Sequence, residues 1–390
     1  MSETIYYPTA TTLVTSNTTI TGNATIGVDR TNAAAYLVPS TSNAAVITQW
    51  IQRIVNNNGS PYWSNVSLYS SITLSPSVNY SYRGACVIPD GRVIFQPYSQ
   101  TNIGIFSPAT NSFTTFSTGI ITNYYFSGPV LLPDGRVLFG PAPGVTNIGL
   151  FNPATNSFTT FSSVPAYSYT SSVLGPDGNV YFAPGSSTNI GIFNPKTNSF
   201  TTFSTGVTAG SYEASVLAVN GLIVMGSDGN GAATNIATFN PVTQVFTTYT
   251  SPYSYIGGCN LSDGRVIFTP ANATNYGIFN PISGSFTTVS NRGNSGNDAY
   301  NGCALLPDGR VISFPCRATV AEIYNPVTNS FSTITVTGSS LFAGFFEGGC
   351  VLPDGRIVCV PYSGGQIGII SGLNRPVPRE FCLHPFFNKF

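Results

Sequence analysis

The chain has little of what most enzymes and nucleic-acid-binding proteins need. It contains one histidine in 390 residues, His384, and only 7% of its residues are charged, against about 25% in a typical soluble protein. The formal net charge is zero, so no basic stripe is available to attract a phosphate backbone. A copper or zinc site built from several histidines is excluded by number alone. We therefore predict no nucleic-acid partner, no metal and no cofactor.

Long apolar runs and targeting patterns are also missing from the sequence. No run of about 18 apolar residues occurs, and the N-terminal stretch MSETIYYPTATT lacks a basic region followed by an apolar one. Seven cysteines without CxxC spacing favour neither a zinc site nor a disulfide framework. We expect no membrane insertion, and assembly in a reducing cytoplasm with free cysteines packed as small hydrophobic residues.

The chain repeats itself with a period of about 44 residues. An Asp-Gly or Asn-Gly pair returns in steps of 44, 43, 43, 43, 45 and 46 residues, at Asp90, Asp134, Asp177, Asn220, Asp263, Asp308 and Asp354. After each of the first six pairs comes a Pro-containing segment that ends in Phe, such as NPATNSF at 152–158. Seven units of near-constant length indicate a repeat architecture.

Each unit has the pattern of four short antiparallel strands. In the second unit these are GPVLL, RVLFGP, NIGLFNP and SFTTFS. Asp-Gly between apolar runs predicts a hairpin, because Gly accepts a positive φ. Four-stranded units of this length predict an all-β fold, a seven-bladed β-propeller over residues 63–374. The seventh unit lacks its fourth strand, and we predict that the segment from Tyr69 to Ile72 supplies it and closes the ring.

The run LPDGRV, the aliphatic strand after it and the segment (F/Y)NPxTNSF together resemble the kelch-type repeat. The kelch Gly-Gly pair is replaced by a Phe close to a Pro (Phe95, Phe139, Phe182, Phe268 and Phe314), and the kelch Trp by Phe. Kelch-type propellers mostly serve as interaction platforms, so the resemblance implies a scaffold rather than a catalyst. The Ser-, Thr- and Asn-rich units are also similar in composition to propeller proteins of large DNA viruses of protists.

Two segments outside the repeats carry apolar patterns. Within residues 1–62, alternation between Ile20 and Val28 predicts a short strand, similar to attachment regions of virus fibres. Residues 43–58 predict an amphipathic helix capped by Asn43, and the tail at 375–390 is rich in Phe. Both segments either pack on the ring or dock onto another protein. The candidate assembly contacts are Trp50, Ile51, Ile54, Phe386 and Phe387.

Candidate catalytic groups are few and scattered along the sequence. Six of the nine Asp lie in the repeat turns, and Glu213, Glu322 and Glu347 belong to separate units. Glycoside hydrolysis needs two carboxyl groups that flank one bond, and a triad built on His384 would need a nucleophile from outside the ring. We predict that the protein is not an enzyme and has no catalytic residue.

An aromatic residue stands eight positions before every Asp-Gly or Asn-Gly pair, at Tyr82, Phe126, Tyr169, Tyr212, Tyr255, Tyr300 and Phe346. This set would suit glycan stacking. However, it has the same strand parity as the position four residues before the pair, where only Cys, Val or Ala occurs, as expected of a small core site. The shared parity favours packing between blades. Non-repeating aromatic residues in loops are better ligand candidates, since loops vary where a scaffold tolerates variation. These are Tyr124, Tyr125, Tyr167, Tyr253, Phe342 and Phe345.

The sequence therefore favours a non-enzymatic structural and interaction protein. We predict a virion component that uses the propeller as a rigid platform, with other structural proteins or further copies of itself as partners. A lectin-like, glycan-binding propeller is the alternative function, and the cytoplasm is the alternative location.

Overall fold

A computed structural model of the chain describes the ring and five short N-terminal strands. The described residues are 3–6, 12–15, 18–21, 25–28, 36–38, 68–74, 81–98, 100–119, 128–141, 146–162, 164–165, 169–185, 187–206, 212–227, 235–270, 274–290, 299–336, 346–363 and 365–373. Strand β1 (Glu3–Tyr6) pairs with β4 (Thr25–Val28), and β2 (Thr12–Thr15) lies between β3 (Thr18–Thr21) and β5 (Tyr36–Val38). Strands are thus present where the alternation predicts one, and the predicted helix at 43–58 lies outside the described residues.

Seven sheets of four antiparallel strands form the rest of the described chain. We number them blades 1–7 in chain order. The first strands of neighbouring blades contact one another around the whole circle, blade 7 with blade 1 included, so the sheets form a closed ring with these strands at its centre. The seven-bladed β-propeller predicted from the repeat is confirmed. The innermost strands are β7 (Tyr82–Val87), β11 (Pro129–Leu131), β15 (Tyr169–Leu174), β19 (Tyr212–Leu217), β23 (Tyr255–Asn260), β27 (Tyr300–Leu305) and β31 (Phe346–Val351).

The second and third strands of each blade follow in chain order. The second strands are β8 (Val93–Pro97), β12 (Val137–Phe139), β16 (Val180–Pro184), β20 (Ile223–Ser227), β24 (Val266–Pro270), β28 (Val311–Pro315) and β32 (Ile357–Pro361). The third strands are β9 (Asn102–Ser107), β13 (Asn147–Asn152), β17 (Asn189–Asn194), β21 (Asn235–Asn240), β25 (Asn275–Phe279), β29 (Val320–Asn325) and β33 (Gln366–Ser371).

The outer strand of blade 7 comes from the other end of the repeat region. In blades 1–6 the outer strands are β10 (Ser112–Ser117), β14 (Ser157–Ser162), β18 (Ser199–Ser204), β22 (Val245–Thr250), β26 (Phe286–Ser290) and β30 (Ser330–Thr335). In blade 7 that place is taken by β6 (Leu68–Thr73), which pairs with β33 from Gln366↔Thr73 to Ser371↔Leu68. The predicted ring closure is confirmed, and it gives the third strand of blade 7 a partner.

Apolar side chains fill the seam between each pair of neighbouring blades, and every seam has its own core cluster. In blade 1 the rings of Tyr82, Phe95 and Phe113 have centroids 5.8 to 6.2 Å apart. A Cβ added to Gly104 would lie 3.0 Å from atoms of both Tyr82 and Phe113. Glycine in the third strand therefore lets rings from the first and fourth strands meet across it.

The Pro-Asp-Gly turns join the first and second strands through a three-residue loop. In blade 1 the Gly91 N–H donates to the carbonyl oxygen of Ile88 at 2.8 Å, and the Ile88 N–H donates to that of Arg92 at 2.9 Å. The glycine of this turn has a φ between +82° and +88° in all seven blades. Only glycine adopts that backbone without steric cost, which explains why Gly is the one residue shared by all seven turns.

The Asp and Arg of these turns form a local ion pair that also reaches the next blade. Arg92 Nε donates to Asp90 Oδ2 at 2.7 Å, and Arg92 Nη2 donates to the carbonyl oxygen of Pro153 at 3.2 Å. The guanidinium thus pairs with the Asp of its own turn and also ties one blade to its neighbour. Equivalent bonds run from Arg136 to Pro195, Asn220 to Pro281, Arg310 to Leu373 and Arg356 to Pro108.

These bonds place the Pro-Asp-Gly turns and the Pro-x-Thr-Asn turns on one side of the ring, which we call the turn face. The opposite side, where the innermost strands begin, is the loop face. In the antiparallel blades the second strands end there and the third strands begin there. The loops of the blades are therefore divided between two faces.

The seam between blades 5 and 6 departs from the pattern. The sequence aligns Phe314 with Phe95, but the register pairs Phe95 with Gly104 and Ser313 with Glu322, so Ser313 holds the Phe position. Tyr276 of blade 5 enters this seam, and its hydroxyl lies 2.8 Å from Ser313 Oγ and donates to Glu322 Oε2 at 2.8 Å. The Glu322 residue is only 2% exposed, and this hydrogen bond offsets part of the cost of burying it.

Candidate binding site at the ring axis

One of the aromatic residues predicted to bind a ligand is described by the structure. Tyr253 lies in the loop that leads into β23 on the loop face, and it is 37% exposed. Its carbonyl oxygen accepts a hydrogen bond from Ser251 Oγ at 2.9 Å, which fixes the loop locally. The other predicted binding and assembly residues lie outside the described residues: Tyr124, Tyr125, Tyr167, Phe342, Phe345, Trp50, Ile51, Ile54, Phe386 and Phe387.

The aromatic residues that stand eight positions before each Asp-Gly or Asn-Gly pair are core residues. All the described members of this set are buried, at no more than 4% exposure: Tyr82, Tyr169, Tyr212, Tyr255, Tyr300 and Phe346. Phe126 lies outside the described residues. The prediction that these rings pack in the seams is confirmed for the six described members, so they do not form a stacking surface for glycans.

The residues one position later converge on the axis of the ring. Arg83 is the second residue of the innermost strand of blade 1, and Glu213 holds the same place in blade 4 on the opposite side of the ring. Even so, Arg83 Nη2 lies 3.7 Å from Glu213 Oε2. Arg83 Nε also lies 2.9 Å from Glu347 Oε2 of blade 7. Asn301 of blade 6 donates to the same Glu347 oxygen at 2.8 Å. We call Arg83, Glu213, Asn301 and Glu347 the axial cluster.

The axial cluster combines two carboxylates with one guanidinium and remains open to solvent. The side chains of Arg83, Glu213 and Glu347 are 38%, 23% and 11% exposed. The carboxylate of Glu347 raises the pKa of Arg83 further above its usual range, burial acts against this, and Glu213 adds to the rise. With Arg83 charged at all accessible pH values, the cluster carries one net negative charge when both carboxylates are ionised.

Two tyrosines stand beside the cluster on the loop face. Tyr98 follows β8 and Tyr362 follows β32, and their ring centroids are 5.7 Å apart. Arg83 Cζ lies 5.8 Å from the centre of the Tyr98 ring, within range of a cation–π contact. Burial raises the pKa of Tyr362, and the nearby Glu347 carboxylate raises it further. Tyr362 therefore presents a neutral hydroxyl next to the charged groups.

The groups of the axial cluster are able to bind a ligand. The charged groups are held by one another, and the described residues include no histidine, since His384 lies outside them. Among the described residues, no three His, Cys, Asp or Glu side chains are grouped so that they could hold a metal ion. What the cluster offers is carboxylate oxygens that accept hydrogen bonds, one guanidinium that donates them, and two aromatic rings.

Sequence reasoning missed the axial cluster because its members lie far apart in the chain. Glu213 and Glu347 were classed as scattered over separate units, but they occupy the same position, seven residues before the Asp-Gly or Asn-Gly pair. The second residues of four innermost strands meet at the axis, so equivalent positions in distant units become neighbours. Charge at minus seven, next to an invariable aromatic residue, was the signal that could have revealed the site.

Comparison with known proteins supports the fold and goes no further. No protein-family model and no curated protein matches the sequence. Among solved structures, the chain is similar to virginiamycin B lyase from Staphylococcus aureus, with a TM-score of 0.68, 14% identity, and coverage of 78% of this chain and 99% of that one. It is also similar to the WD40 β-propeller domain of Doa1, with a TM-score of 0.60, 14% identity, and coverage of 78% and 97%.

These similarities span an enzyme and a WD40 domain, and at such low identity they establish the propeller fold alone. A catalytically inactive form of the same lyase in complex with quinupristin matches with a TM-score of 0.69 at 13% identity, covering 78% of this chain and 99% of that one. In the part of the chain that the structure describes, no helix is long and apolar enough to cross a membrane.

Proposed function

We propose that this protein is a non-enzymatic structural and interaction protein that binds a partner at the axial cluster on the loop face. The observation that supports this is the 3.7 Å contact between Arg83 and Glu213 across the ring, together with the Arg83–Glu347 ion pair. Apart from the Pro-Asp-Gly turns and the five N-terminal strands, the described charged residues are Arg83, Lys196, Glu213, Arg317, Glu322 and Glu347. Three of these six meet at one point of the surface.

The chemistry of the cluster favours a partner that inserts a basic side chain. Each carboxylate can accept about four hydrogen bonds, and the two share one guanidinium and one amide, so accepting capacity remains. The net negative charge attracts a Lys or Arg, and the rings of Tyr98 and Tyr362 provide a face for its aliphatic part or its charge. Because seven blades are tied together by turns and seams, the site is held rigid before the partner arrives.

We further propose that the partner bound at the axial cluster belongs to a virus particle. It is supported by the resemblance in composition to propeller proteins of large DNA viruses, by the kelch-like repeat of interaction platforms, and by the short β-strands near the N-terminus. The partners are other structural proteins of the particle or further copies of this chain, and the free thiols fit assembly in a reducing cytoplasm.

The test is co-sedimentation of the tagged full chain with large assemblies from the cells that produce it. We expect the wild-type chain to sediment with particles, and the double variant Glu213→Gln/Glu347→Gln to lose at least tenfold in affinity. The amides keep the shape of the side chains and remove the negative charge. Lys196→Ala on the turn face is the matched control, and it should sediment like the wild type.

Two results would contradict this proposal. One is a chain that stays a monomer of uniform size in extract and never sediments with particles. The other is a Glu213→Gln/Glu347→Gln variant that binds as tightly as wild type while Lys196→Ala loses binding, since that would move the contact to the turn face.

Glycan binding is the second candidate, supported by the tyrosine pair beside hydrogen-bonding carboxylates and by the exposed ring of Tyr253 on the same face. Sugars stack on aromatic rings through their apolar faces and bond carboxylates through their hydroxyls. A glycan array on the full chain separates the two candidates. A signal that disappears in Tyr98→Ala or Tyr253→Ala would favour a lectin. If no glycan on the array binds the chain, the result favours a protein partner.

A further inference from the structure

The seam between blades 5 and 6 contains two thiols in direct contact. Cys259 belongs to the innermost strand of blade 5 and Cys303 to that of blade 6, and Cys303 Sγ donates to Cys259 Sγ at 3.3 Å. Both are free and buried, with no more than 3% exposure. They are 44 residues apart in the chain, so a bond between them would join two blades.

This pairing occurs at one seam of the ring. Cys259 stands four residues before the Asp-Gly pair of blade 5 and contacts Cys303, which stands five residues before that of blade 6. The residues at the two equivalent positions, seam by seam, are Cys86 and Pro129, Val130 and Ser172, Val173 and Ser215, Val216 and Gly258, Cys259 and Cys303, Ala304 and Gly349, and Cys350 and Ala85. If Cys259 served only as a small core residue, its contact in blade 6 would not need to be a cysteine as well.

We propose that Cys259 and Cys303 form a reversible disulfide that locks blade 5 to blade 6 under oxidising conditions. A disulfide requires a sulfur–sulfur distance of about 2.0 Å, so the sulfurs must approach by roughly 1.3 Å, which small side-chain rotations can supply. Burial raises the pKa of the Cys303 thiol, and the contact with Cys259 raises it further. Oxidation of the pair is therefore slow, because the thiolate is the reactive form, and the oxidant must be small enough to enter the seam.

Hydrogen peroxide is an oxidant of suitable size, and the reaction balances with it alone. One thiolate attacks a peroxide oxygen and becomes a sulfenic acid, releasing hydroxide, which takes up the thiol proton to give water. The second thiol then attacks the sulfenic sulfur, the S–S bond forms, and the sulfenic oxygen leaves as a second molecule of water. Two thiols are oxidised by two electrons and one peroxide is reduced. The inference does not depend on the proposed function.

The test treats the purified full chain with dilute hydrogen peroxide and then alkylates it under denaturing conditions. Before alkylation we expect a mass loss of about 2 Da, and after it the number of alkylated cysteines should fall from seven to five. Digestion should yield one peptide pair joined through Cys259 and Cys303. The thermal midpoint should rise by about 5 °C, and dithiothreitol should reverse the rise.

Variants with precedents in the repeat control for folding. Cys259→Ala copies Ala304 and Cys303→Ala copies Ala85, so each should fold, keep six alkylated cysteines after peroxide and show no rise in midpoint. Cys350→Ala removes a cysteine whose facing residue is Ala85, and it should still form the Cys259–Cys303 bond. The proposal is overturned if the wild type keeps seven alkylated cysteines, if the joined peptides contain other cysteines, or if Cys303→Ala responds like the wild type.

Discussion

The two faces of the ring carry their charges in opposite ways. On the turn face the Asp–Arg pair repeats in five blades, each pair lies within one turn, and the charges are neutralised locally. On the loop face the charges of the axial cluster occur in three blades and meet across the axis. The difference indicates that residues that repeat around the ring hold it together, and that residues that break the repeat are available to a partner.

Alkaline pH tests whether the repeating aromatic residues are structural, and it has the largest expected effect. Burial raises the pKa of Tyr82, Tyr255 and Tyr276 above the ordinary value of 10.0. The folded chain keeps these phenol protons above pH 10 and the unfolded chain loses them, so stability is complete below pH 10 and falls as the pH rises. Each phenol that stays neutral costs about 2.7 kcal/mol of stability by pH 12.

We therefore expect cooperative unfolding between about pH 10 and 12, with tyrosine absorbance at 295 nm and circular dichroism changing together. Tyr253→Phe, at an exposed loop residue, should leave the midpoint unchanged. Ionisation of the tyrosines at unchanged circular dichroism would mean that these rings are not held neutral in the seams.

The second prediction compares two turns that differ only in burial. The side chains of Arg356 and Asp354 are 7% and 10% exposed, whereas those of Arg136 and Asp134 are 24% and 42% exposed. Arg356→Ala leaves a buried carboxylate without its cation and should cost about 3 kcal/mol of unfolding free energy. Arg136→Ala should cost less than about 1 kcal/mol. Denaturant unfolding measures both, and equal losses would contradict the role of burial.

The fold could be read from the sequence because a propeller repeats its local signals. Gly91 and its equivalents need a positive φ, and the constant spacing fixed the number of blades. The axial cluster could not be read this way, because Arg83, Glu213 and Glu347 become neighbours only when the ring closes. The Cys259–Cys303 contact was missed because the two cysteines occupy different positions in their repeats, four and five residues before the Asp-Gly pair. Such positions come into contact only when adjacent blades pack together.

The third prediction concerns the cation of the axial cluster. Arg83→Met leaves Glu213 and Glu347 facing each other without a counter-charge, which should destabilise the fold. Because the Arg83 side chain is 38% exposed, solvent screens the repulsion, and the cost should be about 1 kcal/mol and shrink at high salt. Adding Glu347→Gln to Arg83→Met should restore most of the loss. A loss that is independent of salt would show that Arg83 acts through packing.

The smallest effect is expected at Gln244, in the Pro-x-Thr-Asn turn of blade 4. Its φ is +53°, in a position that four other blades fill with Asn and blade 5 with Gly284. Gln244→Asn should stabilise the chain by roughly 0.5 kcal/mol, because Asn tolerates the left-handed region better. Gln244→Val should destabilise it by about 1 kcal/mol, since a β-branched residue is strained there. Thermal unfolding measures both variants. A lower midpoint for Gln244→Asn or a higher midpoint for Gln244→Val would contradict this prediction.

The most direct measurement determines partner affinity and unfolding free energy on the same three proteins: wild type, Glu213→Gln/Glu347→Gln and Arg356→Ala. We predict that the first variant loses at least tenfold in co-sedimentation affinity while its stability changes by less than about 1 kcal/mol. Arg356→Ala should lose about 3 kcal/mol of stability and bind like the wild type wherever it is folded. The reverse result, with binding lost on the turn face and stability lost at the axis, would contradict the division between residues that hold the ring and residues that bind.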